Sequence, residues 1–96
     1  MTPAAFRRSL EREAPPSAAA PALAALWWIK KGNWDRAHEI VMSDDSGDAA
    51  WVHALLHRIE GDQSNAGYWY RQARKPLATG TTEAEWEVIA DALLAT

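Results

Sequence analysis

Three histidines supply the imidazole chemistry of a chain that has no cysteine. His53 and His57 stand four residues apart in WVHALLHRIEGD. Residues at i and i+4 share one helical face, so two imidazoles can point the same way, as half of a metal site does. His38 is a candidate third ligand, near the apolar face of the preceding helix. The zinc-protease arrangement H-E-x-x-H is absent, since Ala54 and Leu55 follow His53 and no glutamate lies between the histidines. The competing reading is a pair of packed histidines, each donating to a carboxylate or carbonyl. From the sequence alone, neither a metal ligand nor a cofactor is assigned.

The residues that follow offer binding rather than catalysis. Arg58, Glu60 and Asp62 form a charged corner, either an anchoring turn for a ligand or a helix cap beside a solvated ion pair. Asn65, Tyr68, Trp69, Tyr70 and Arg71 bring together types enriched at binding hot spots. Helical spacing places Trp69 and Tyr70 on an apolar stripe but turns Tyr68 away from it. Tyr68 with Asn65 and Arg71 can therefore line a polar, aromatic groove. The candidate binding residues are His53, His57, Glu60, Asn65, Tyr68 and Arg71. No phosphate-cradling glycine loop and no serine or cysteine triad can be assembled, so no catalytic residue is assigned.

Six helices are needed to position these groups. Thr2-Pro3 starts a first helix that Pro15-Pro16 stops after Glu13 or Ala14. A second runs to Lys31, beginning near Ser17 or Ala20, with Gly32 as its stop. Asn33 caps a third, to about Met42. Asp48 caps a fourth, with Val52, Leu55, Leu56 and Ile59 inward, ending at Gly61. Asp62 or Ser64 starts a fifth, to about Lys75, with Ala66, Trp69, Tyr70 and Ala73 inward. Thr82 with Glu85 makes a capping box for a sixth, carrying Trp86, Ile89, Ala90 and Leu93 inward. No alternating pattern competes, and the class is all-α.

An internal register underlies the middle of the chain. Gly32 and Gly61 are 29 apart, as are Ala37 and Ala66, Leu26 and Leu55, and Ala25 and Ala54. Two helical hairpins are thus written on one template, spanning residues 21–76 of a single domain, 1–96. Glycine permits the reversal, and alanine five residues later permits close approach. Ala54, His57, Gly61, Gln63, Ala66, Tyr70 and Ala73 resemble the tetratricopeptide repeat, as do Ala25, Trp28, Gly32, Trp34, Ala37 and Val41. His57 and Gln63 stand where that family has aromatics, and its period is 34. The resemblance implies a helical stack of a kind that binds proteins or peptides. HALLHRIEGDQSNAGYWYRQA also resembles a family of small, functionally uncharacterised bacterial proteins, which implies no activity.

Composition narrows the partners. With 13 acidic and 10 basic residues the net charge is −3, and the basic footprint of a nucleic-acid binder is missing. The longest apolar run, from Ala18 to Ile29, contains Pro21 and is too short to span a bilayer. Acidic residues before that run do not fit a cleavable signal, and a cytoplasmic location is expected. Six tryptophans are many for 96 residues. Trp27 and Trp28 cannot both face one core, so one covers another element or joins a homodimer interface. The expected function is a protein- or self-interaction module; the alternative is a small-ligand or metal-binding protein, enzymatic or not, built on His53 and His57.

Overall fold

A computed structural model describes residues 1–95 and shows six helices. They are α1 (Pro3–Ser9), α2 (Pro21–Lys30), α3 (Trp34–Met42), α4 (Gly47–Ile59), α5 (Gln63–Ala73) and α6 (Thr82–Leu94). The all-α class and the number of helices follow the sequence reading, and no strand occurs among the described residues. Among the described residues, no helix is long and apolar enough to cross a membrane.

α4 is the centre of the molecule. Ala49, Ala50 and the run from Val52 to His57 are all buried, so this helix is covered nearly all round rather than along one stripe. α5 folds back along it, α3 and α2 pack beside it, and α6 closes the remaining side. α1 lies against α6, where Phe6 stacks on Trp86.

The two reversals within α2–α3 and α4–α5 have the same hydrogen bonding. Asn33 N–H donates to the Trp28 carbonyl and Gly32 N–H to that of Ile29. Asp62 N–H donates to the His57 carbonyl and Gly61 N–H to that of Arg58. Each glycine is left-handed, with φ of +83° at Gly32 and +87° at Gly61. An added Cβ would meet nothing within 4 Å at either, so conformation rather than crowding calls for glycine. Asn33 and Asp62 then cap the next helix, accepting from Arg36 N–H and Asn65 N–H. Ala37 and Ala66 are buried, at 0% and 1% exposure.

Several boundaries differ from expectation. α1 ends at Ser9 instead of Glu13 or Ala14; the chain goes on as a tight turn, with Lys31 Nζ donating to the Leu10 and Arg12 carbonyls. Of the two starts open for α2, the structure has the later one: Pro21 is the first residue, preceded by an extended Ala20, and Ser17 is no cap. Ser46, not Asp48, caps α4: its Oγ accepts from Ala49 N–H. Thr81, not Thr82, caps α6, accepting from Ala84 N–H, and Glu85 is drawn inward instead of closing a capping box. α5 stops at Ala73, where Arg74 adopts the left-handed conformation ahead of Pro76. Ile59 is 42% exposed, since α4 ends there and the turn lifts it from the core.

The tryptophan pair separates as helical geometry demands. Trp27 is fully buried and donates through Nε1 to Ser9 Oγ at 3.1 Å. Trp28 packs edge-on against it, half-buried beneath the Arg36 guanidinium.

Candidate functional site

All three histidines meet where α3 crosses α4. His38 projects from α3 one turn after Trp34 and stacks on that indole, with centroids 4.7 Å apart at 15°. Trp34 is fixed in turn by its Nε1 donating to the Leu56 carbonyl at 2.8 Å. His53 and His57, one turn apart on α4, stack at 4.9 Å and 24°. His38 presents its ring nearly perpendicular to both, at 4.8 Å from His53 and 5.5 Å from His57. On its other face His53 stacks on Trp69 of α5, at 3.9 Å and 13°. Three imidazoles are thus held between two indoles.

One ring nitrogen from each histidine lies within 4.8 Å of the other two. In a tetrahedral site with bonds of 2.0–2.1 Å the nitrogens stand about 3.4 Å apart, so the set would have to draw together to hold an ion. His53 is 1% exposed, and its Nδ1 is buried without a hydrogen-bond partner. A buried nitrogen with nothing to bond calls for a ligand or a cost. His57 Nδ1 is 2.8 Å from Glu60 Oε1, which leaves Nε2 as its other donor atom. A carboxylate on the far nitrogen is how metal-bound histidines are commonly oriented.

The protonation state suits ligation. Burial, followed by the neighbouring His38 and His57, pushes the His53 pKa down to about 4. Burial and His57 also lower that of His38. At neutral pH both rings are neutral and keep a lone pair, the form that binds metal.

Of the residues singled out by sequence, His53, His57 and Glu60 come together, joined by His38. Asp62 lies near His57 and Glu60, but its carboxylate accepts from the Asn65 N–H and Nδ2. Asn65, Tyr68 and Arg71 do not converge on the histidines. Tyr68 is 46% exposed and lines a separate groove with Trp69, Gln72, Asp44, Asp45 and Ser46. Neither Asn65 nor Arg71 lines it.

Sequence reasoning overlooked two features. Trp34 and Trp69 wall the cluster; the four-residue step from Trp34 to His38 was a readable signal, whereas the approach of Trp69 was not. Arg58 is also no surface pair. It donates to Glu85 Oε1 at 2.7 Å and to the Gly80 carbonyl, while the buried Tyr70 hydroxyl donates to the same carboxylate. This network ties α4, α5 and α6 together, and burial followed by Glu85 raises the Tyr70 pKa.

No family model matches this chain, and no curated protein or solved structure matches it.

Proposed function

We propose that this chain is a metal-binding protein whose ligands are His38, His53 and His57. The observation that carries the reading is the unpartnered, buried Nδ1 of His53 inside a cluster of three mutually close imidazoles. An all-imidazole set with no thiolate suits zinc, cobalt(II), nickel or copper(II). Glu60 acts behind His57, fixing its tautomer. The ligands come from α3 and α4, so a bound ion joins the two helical hairpins.

The test is calorimetric titration of untagged, chelator-treated protein with zinc. One equivalent per chain and a raised melting temperature are expected. His53→Gln removes binding, and His38→Gln, at a half-buried position, does so with little disturbance of the core. No heat and an unchanged melting temperature with zinc, cobalt and nickel would refute the reading.

A second reading, the interaction module, is favoured by the groove where the exposed Tyr68 ring faces Asp44 and Asp45. Its charge suits a cationic peptide segment. Tyr68→Ala should abolish binding of an Arg- and Lys-containing peptide library at low salt; equal retention by both proteins argues against the groove. A concentration-independent monomer in light scattering argues against the homodimer.

A further inference from the structure

We infer that a metal held by His38, His53 and His57 keeps one exchangeable position, reached past His38, that takes a small monodentate anion or hydroxide. The inference rests on the three-histidine reading and concerns what completes it. Among the described residues the histidine cluster contains three donors and no fourth. The nearest carboxylates are otherwise engaged: Glu60 Oε1 is on His57 Nδ1, and Asp62 caps α5 through its bonds to Asn65. Sites with three protein ligands characteristically leave a position for solvent or substrate, whereas structural zinc sites use four.

Charge gives the occupant its chemistry. Imidazole ligands bring no negative charge to a divalent ion, and the nearest carboxylate, Glu60, sits behind His57. The walls are the indoles of Trp34 and Trp69, which carry no charge to offset that of the ion. A dication in such surroundings gains from a compact anion and lowers the pKa of a bound water. Access is also directional. His53 and His57 are 1% and 6% exposed, while His38 is only partly covered and forms the rim. The acidic side chains acting on His38 are Asp35 and Glu60. Asp35 is exposed, on the first turn of α3, and is a carboxylate on the His38 side that could compete for the position.

Cobalt(II) reports both steps. Chelator-treated, untagged protein is loaded with one equivalent of cobalt(II), and its visible d–d bands are followed as sodium azide is added at constant ionic strength. The expected result is tetrahedral-intensity bands that shift saturably with azide and vanish when zinc displaces cobalt. Asp35→Asn should give the same azide response. Bands that appear but stay unmoved by azide and by thiocyanate overturn the inference while leaving the three-histidine site standing. An azide response confined to Asp35→Asn overturns it equally, because Asp35 then fills the position. Absence of cobalt bands in the wild-type chain overturns the three-histidine reading itself, and the inference with it.

Discussion

His53 is a base that the fold keeps uncharged. Its pKa of about 4 lies below the ordinary value of 6.5, so the unfolded chain binds a proton that the folded chain refuses. Stability of the metal-free protein therefore falls as pH drops through 6.5, and the loss is complete below about 4. It amounts to roughly 3 kcal/mol from this group, with His38 adding in the same direction. Chemical denaturation at pH 7 and pH 4.5 checks the sign, and His53→Gln should flatten the slope; the groups facing the ring are His38 and His57. Glu85 is the second buried site with consequences. Tyr70→Phe removes one of its donors and should cost about 1–3 kcal/mol, because Arg58 remains to hold the carboxylate. Glu85→Ala strips Arg58 and Tyr70 of their common acceptor and should cost more, about 3–5 kcal/mol, read from urea midpoints. The His53/His57 face was legible because four-residue spacing is a local property. The role of Glu85 was not, since a glutamate three residues after Thr82 has the signature of a cap, and only the position of α5 brings the Tyr70 hydroxyl to it.

At the level of helices and turns, glycine marks the reversals for a conformational reason alone. Gly61→Ala meets no steric obstacle, so its cost is that of a left-handed non-glycine residue, about 1–2 kcal/mol. Arg74 already carries that burden at φ 59°, and Arg74→Gly should recover up to about 1 kcal/mol. Thermal melts of the two variants should move in opposite directions. Ala66→Leu tests helix approach: Ala66 packs with Ala54 and Tyr70, and the added bulk should cost about 1–3 kcal/mol. Turns at Gly32 and Gly61 were readable because glycine followed by Asn or Asp both ends one helix and caps the next. The starts of α4 and α6 were misjudged by one or two residues because each has adjacent candidates. Ser46 precedes Asp48 and Thr81 precedes Thr82, and only backbone direction decides which oxygen reaches the free N–H groups.

In the whole molecule, α4 meets every other helix but α1: it pairs with α5, supports α3 and α2, and is tied to α6 through Arg58 and Glu85. That centrality could not be read from a single apolar stripe, because periodicity finds one face and α4 is buried on nearly all of them. Six indoles are distributed through this structure, yet only Trp34 and Trp69 lie flat against the imidazoles. Copper(II) quenches nearby indoles, so on the three-histidine reading a stoichiometric addition should dim the emission of Trp34 and Trp69 most. Replacing Trp69 with Phe should remove much of that response. The emission of these two indoles is therefore a direct reporter for testing the proposed three-histidine site.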